Sequence, residues 1–328
     1  MPRSSGAAAA AGRAGAAAAA GRAGATAAAP KRGPGRPDWG ERTLAWAFLL
    51  PSLVVFALFI GYPLGRTLYL STHGNDLFGA PSRYVGMRHY TDLLASAEFH
   101  KTLVTTLLFV LLTVLPGVFG ALGLVLLLES RVRGVRWLRS AFALPFAFSV
   151  ASASVVFSVF FNPAIGVLNG LLSQFGTGPV GWLTDQRYAL LSVSAATVWM
   201  NLGYNVLVLS AGIGSIPQET VEAARLDGAT GWRLARSITV PLLGPHLFFL
   251  IVVSTINSLQ SFGQIHILTL GGPDGATRTL VYSVYEKAFA YGSSDFGTAS
   301  AQAVVLLVVV LACAGVQFGL LERKVHYA

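Results

Sequence analysis

Apolar residues in this chain come in long blocks, separated by short clusters of charge. Six stretches hold no Asp, Glu, Lys or Arg: 43–65, 102–128, 140–184, 188–218, 237–273 and 296–321. A helix rises about 1.5 Å per residue and the hydrocarbon core of a bilayer is about 30 Å thick, so about 20 apolar residues cross it. One charge at the centre of such a helix costs about 2.5–3.5 kcal/mol, which makes charge-free stretches of this length informative. The pattern predicts six spans, at about 44–66, 102–128, 140–161, 189–213, 245–268 and 298–321. The stretch 140–184 is long enough for two crossings. Its second half, however, carries Asn169, Gln174 and Pro179, with Ile165, Leu168, Leu172 and Phe175 at helical spacing. That half reads as a short amphipathic helix at the interface, with Asn162-Pro163 stopping the span before it.

Composition agrees. Charged residues are 11% of the chain, against roughly 25% in ordinary globular proteins. Hydrophobic residues are 54%, and mean hydropathy is +0.62. A soluble enzyme, a disordered regulator and a disulfide scaffold are all excluded; the one cysteine, Cys313, has no internal partner. A net charge of +9 would suit nucleic acid, but its distribution gives another answer. With six spans and a cytoplasmic N-terminus, 16 of the 23 basic residues lie inside, while the acidic residues divide evenly between the two sides. This is the positive-inside pattern. A seventh span would reverse everything after residue 185 and weaken it. The expectation is an all-α, multi-pass membrane protein, with both termini cytoplasmic and no nucleic-acid partner.

Residues 1–40 stand apart from the membrane-spanning helices of 41–328. They contain AGRAGA twice, at 11–16 and 20–25, in a tract of Ala and Gly that ends in KRGPGRP. Nothing there forms an apolar face, and the interval between Arg13 and Arg22 is too short to span. A flexible basic cytoplasmic tail is expected. It either rests on anionic lipid or has no role.

The segment between the fourth and fifth spans, about 215–244, is the most informative. Ser215 with Gln218 fits a capping box, and Pro217 suits a first helical turn. A helix to about Asp227 is then expected, with Gly228 as the left-handed residue past its end. Thr230 is placed to cap a second helix through Arg236, and Pro241 to end it. Ala223 and Ala224 would let another backbone approach, with Glu222 and Arg225 fixing register. Asp227 sits where the helix dipole disfavours an anion, a site for a cationic partner. From pattern alone, a docking surface and a solvated connector both remain open.

Glu222-Ala223-Ala224, three residues, Gly228, nine residues, then Ile238-Thr239-Val240-Pro241 resembles the EAA loop of bacterial ABC-importer permeases. The spacing matches throughout, and Val240 in place of Leu is the one departure. The similarity runs from about Thr43 to the C-terminus. It includes Tyr62-Pro63, Leu144-Pro145, Phe161-Asn162-Pro163, Gly271-Gly272-Pro273 with Thr279-Leu280-Val281-Tyr282, and Glu322-Arg323-Lys324-Val325. Within that family the carbohydrate-uptake branch, including glycerol-3-phosphate permeases, is the most similar. The resemblance implies a type I ABC-importer permease fold and a transport subunit rather than an enzyme. It implies partners as well: a second homologous permease subunit, two ATP-binding subunits, and an extracytoplasmic solute-binding protein. Glu222, Ala223, Ala224, Arg225, Asp227 and Gly228 would contact the ATPase. This chain has no G-x-x-x-x-G-K-[ST] phosphate loop, so no cofactor is expected in it, and ATP and Mg²⁺ would lie in the partner.

Polar residues within spans usually face a bundle interior or an aqueous cavity. Asn257, Gln260, Ser261 and Gln264 fall at spacings of three, four and seven, one helical face, with Phe262 beside them to offer a ring. Asn201, Tyr204 and Asn205, with Trp199, form a similar group in the fourth span. Either set serves a solute path or interhelical hydrogen bonding. Gly117, Gly120, Ala121 and Gly123 suit close helix packing, Pro116 a kink, and 271–275 a tight extracellular turn. A self-contained carrier would need mid-membrane ion sites, and a membrane enzyme would need titratable residues at the lipid boundary. No metal-ligand spacing, nucleophile–base pair or paired carboxylates appear.

Overall fold

The computed structural model describes residues 39–76, 79–129, 137, 141–142, 144–290 and 294–321. The tail 1–38, the basic stretch with Arg131, Arg133, Arg136 and Arg139, and Glu322-Arg323-Lys324-Val325 lie outside the described residues. The chain divides into two units, one ending at Gly61 and the other beginning at Tyr62.

The first unit holds helix α1 (Trp39–Phe56), followed by a π-helical turn (Ala57–Gly61). It supplies no core of its own: Phe48, Phe56 and Phe59 are all exposed.

The second unit begins with α2 (Tyr62–Ser71) and a short hairpin of β1 (His73–Asn75) and β2 (Pro81–Tyr84). The expected all-α plan thus carries one small β element. Strands of three and four residues are too short to show alternation in the sequence. The rest is helical: α3 (Arg88–Ala95), α4 (Ala97–Glu129), a 3₁₀ turn (Leu144–Ala147), α5 (Val150–Phe160) and α6 (Val167–Gln174). Then come α7 (Gln186–Gly214), α8 (Gln218–Leu226), α9 (Gly231–Leu234), a π turn (Ala235–Thr239) and α10 (Val240–Leu242). The last are α11 (Gly244–Leu259), α12 (Gly263–Leu268), α13 (Leu280–Phe289) and α14 (Phe296–Leu321).

Among the described residues, four helical stretches are long and apolar enough to cross alone: Trp46–Ser71, Ala97–Leu128, Gln186–Gly214 and Phe296–Gly319. A fifth forms if Gly231–Leu242 and Gly244–Leu259, bent by 66°, are taken as one broken span. The third expected span is present as the 3₁₀ turn and the 11-residue α5, below full crossing length by itself. This arrangement is consistent with six membrane segments.

The core explains the long hydrophobic blocks. Val114, Val118, Ala121 and Val125 of α4 pack with Val206 and Leu209 of α7 and Leu250 of α11. A second cluster joins Phe109, Phe161, Val193, Ile265 and Tyr282, and a third joins Leu93, Phe99, Leu280 and Ala301. The small residues of α4 divide. Ala121 is fully buried and Gly117 faces the Asn205 amide, whereas Gly120 and Gly123 face open space rather than a neighbouring helix. Leu107, Leu111, Phe119, Leu207 and Leu311 are exposed, as befits side chains that lipid solvates.

Segment 162–185 holds a short helix, α6, where one was expected, and two amides shape the chain around it. Asn162 Oδ1 accepts from the Ala164 and Ile165 N–H groups, closing the turn after α5. Asn169 on α6 donates to the Pro163 and Val180 carbonyls and accepts from Val180 N–H and Trp182 Nε1. Asn169→Ala deletes the four bonds of that amide and leaves the half-buried Val180 N–H and Trp182 Nε1 without this partner. In detergent the melting midpoint should fall by about 5 °C; an unchanged midpoint would show that the turn holds without the amide.

Candidate functional site

The loop between α7 and α11 begins with a correction to the capping expectation. Ser215 does not cap α8. It closes α7, its hydroxyl donating to the Gly212 carbonyl at 2.7 Å. That acceptor is three residues away and already in place, so no capping box with Gln218 forms. The N-cap of α8 is Pro217, which has no side-chain acceptor. The other end follows expectation. Asp227 is the C-cap, and Gly228 takes φ of +84°. Ala229 N–H bonds to the Ala224 carbonyl at 2.9 Å and Gly228 N–H to Arg225 at 3.0 Å. These are the two bonds of a Schellman ending, which fixes the chain's exit from the helix.

Thr230 stands at the start of α9 but makes no side-chain capping bond. The helical run then widens into the π turn, and Pro241 sits inside α10 instead of ending it. Proline has no N–H to return to the preceding turn, and a widened turn absorbs that loss. The run stops at Leu243, where the 66° bend begins.

Ala224 is buried, while Glu222, Ala223, Arg225, Asp227 and Gly228 are exposed. Among the described residues, Glu222, Arg225 and Asp227 form no ion pair. Beside them an open cleft is lined by Ile213, Gly214, Ile216, Gln218, Val221, Glu222 and Arg225. Two residues escaped the sequence reading: Leu226 is 90% exposed and Trp232 is 73% exposed, so the surface joins free charges to apolar anchors. Their positions in an amphipathic run gave no signal, because such a run ordinarily buries its apolar side chains.

The polar candidates of the fourth and fifth spans meet at Thr197 on α7. Gln264 is buried and donates to the Thr197 hydroxyl at 3.3 Å; the Asn201 amide donates to the Thr197 carbonyl at 3.0 Å. The expected single face of Asn257, Gln260, Ser261 and Gln264 is not continuous. Helix α11 ends at Leu259, and α12 begins at Gly263. A Cβ built on Gly263 would lie 3.1 Å from Val150 Cγ1, so α5 approaches closely where α12 begins. Asn257 and Gln260 are exposed, and Ser261 donates to the Asn257 carbonyl across the break.

Tyr204 packs its ring 5.8 Å from Phe146, and Asn205 is buried with its Oδ1 unpartnered. Phe262 offers no free ring face: His266 stacks on it at 5.1 Å and Tyr285 approaches at 4.9 Å. Trp199 lies against Phe148 and Phe157. Buried hydroxyls pair across helices, as in Thr113 with Ser258 and Gln317 with Thr255.

Residues 136–327 match the family described as binding-protein-dependent transport system inner membrane component. The chain belongs to this family. It is a transport subunit, not an enzyme, and a multi-pass membrane protein. It is 37% identical over 290 residues to the sn-glycerol-3-phosphate transport system permease protein UgpA of Agrobacterium fabrum, covering 88% of this chain and 97% of that one. Identity to the UgpA of Yersinia pestis bv. Antiqua is 33%, over 90% of this chain and 99% of that one. A bacterial ABC transporter involved in importing the acidic polysaccharide alginate superposes with a TM-score of 0.71 at 25% identity, over 86% of this chain and 97% of that one. A bacterial alginate ABC transporter, solved in complex with an alginate pentasaccharide-bound periplasmic protein, superposes with a TM-score of 0.77. There identity is 23%, over 88% of this chain and 97% of the other, and the likeness shows the fold.

Gly228 supplies the local test. A β-branched side chain at its positive φ costs about 1–2 kcal/mol. Gly228→Val should therefore speed hydrogen exchange of the Ala229 amide about tenfold, while exchange in α4 stays unchanged. Equal exchange at Ala229 would show that the Schellman ending tolerates the variant.

Proposed function

We propose that this chain is one of two permease subunits of an ABC importer for a sugar or glycerol-phosphate-type solute, worked through the 215–244 loop by an ATPase. The observation that carries this reading is the outward surface of α8. Glu222, Ala223, Arg225, Leu226 and Asp227 are presented together, and the Schellman ending at Gly228 holds the surface in one orientation. Free charges beside an apolar anchor suit a groove that supplies both an apolar floor and charged edges.

In this reading both termini and the loop are cytoplasmic, as the distribution of basic residues argues. Two ATP-binding subunits hold ATP and Mg²⁺, a second homologous permease completes the path, and an extracytoplasmic binding protein delivers the solute. Closure of the ATPase pair around ATP moves the loop and opens the path outward. Asn257, Gln260 and Ser261 at the break after α11, with Asn201 and Tyr204 on α7, offer amides and hydroxyls that replace a polyol's hydration. Gln264 and Asn205 are buried, and they position the path by interhelical contact. The relatives named for sn-glycerol-3-phosphate support that solute class; another oligosaccharide or polyol is the alternative.

Glu222→Lys inverts a docking charge, and Gly228→Trp disrupts the helix ending. Both variants should insert normally yet lose at least about tenfold in uptake by the assembled importer, while ATP hydrolysis continues. Normal uptake by both would remove the docking role. The solute is decided separately, by titrating the partner binding protein with sn-glycerol-3-phosphate and with a sugar panel. Micromolar binding of glycerol-3-phosphate alone supports the first class, and binding of oligosaccharide alone the second.

A further inference from the structure

We propose that Gly212, Leu243 and His246 form a knuckle that delivers movement of the 215–244 loop to α7 and α11 together. The proposal rests on the reading of that loop as an ATPase contact. It assigns to Gly212 a positioning role.

The loop leaves the bundle at the end of α7 and returns at the 66° bend before α11. Its two stems come closest to the loop at Gly212, below the packing of Val206 and Leu209 on Leu250. A Cβ built on Gly212 would lie 2.8 Å from Cγ and 2.9 Å from Cδ2 of His246, and 2.9 Å from Cδ2 of Leu243. Leu243, the residue of the bend itself, is fully buried. The His246 Nδ1 is buried without a hydrogen-bond partner, so no bond from that atom holds the ring in its place against the glycine. Only a glycine admits the imidazole this closely.

Packed contacts of this kind are nearly incompressible. Were the stems apart, a push on the loop could be absorbed by rotation at 215–217 and at the bend. With the stems in contact, the same push moves the end of α7 and the start of α11 as one body. Those helices carry Asn201, Tyr204 and Asn205 on one side and Asn257 on the other. The knuckle thus joins the driven surface to both polar groups.

The test uses the assembled importer with Cys313→Ser and a reporter cysteine, Asn257→Cys, labelled with a water-soluble maleimide and read by mass spectrometry. In this parent, trapping the ATPase pair with ATP and vanadate should change the labelling rate about fivefold or more. Gly212→Ala should reduce that response to less than about twofold, while the ATPase still co-purifies and hydrolyses ATP. Adding His246→Ala removes the ring but leaves Leu243 Cδ2 against the new Cβ, so the response should stay below about twofold. Should Gly212→Ala fail to insert, His246→Ala alone, which loosens the same contact, should lower the response. A full response in Gly212→Ala, in the double variant, or in His246→Ala alone would overturn the knuckle. If the parent itself does not respond, the ATPase-contact reading falls, and the knuckle with it.

Discussion

Lipid offers no hydrogen-bond partner to a backbone or a side chain, and this constraint shapes every part of the chain. It drives the charges out of six long stretches and so concentrates them in the connections. It also forces the polar side chains left inside to find one another. Thr113 with Ser258, Gln264 with Thr197 and Gln317 with Thr255 are the outcome, each joining two helices. The same pressure makes an exposed charged helix such as α8 unsuited to the hydrocarbon core and leaves it available at the surface.

That separation divides the chain by task. Helices α4, α7 and α11 form an apolar body stitched by hydroxyls and amides. The 215–244 loop carries free charge, apolar anchors and a helix ending fixed by two backbone bonds. In the proposed function, energy enters at the loop and solute passes beside the polar groups of α7 and the break after α11. In that same proposal the drive comes from a partner ATPase. The proposed knuckle at Gly212 is one place where those two parts of the molecule touch.

Much of this was legible in the residues. Charge-free length located the helices, and Gly228 marked the end of α8 because few other residues accept a positive φ. Asn162-Pro163 also ends α5 as read, and a short helix follows it. What failed did so where tertiary contacts outrank local pattern. Ser215 matched a capping box, but the end of α7 claims its hydroxyl. The polar face from Asn257 to Gln264 had helical spacing, yet the helix breaks between Leu259 and Gly263, beside a close approach of α5. Phe262 stood among polar residues, but His266 and Tyr285 cover its ring. The clasp of Gly212 on His246 joins residues 34 positions apart and leaves no trace in local sequence.

The most direct test of the central claim is a cross-link from one residue. With Cys313→Ser and a cysteine at Asp227 as the sole thiol of this chain, a short heterobifunctional reagent should join it to an ATP-binding subunit in native membranes. The yield should change when ATP is added. An adduct only with an extracytoplasmic protein, or no adduct with an ATPase that demonstrably co-purifies, would contradict the account.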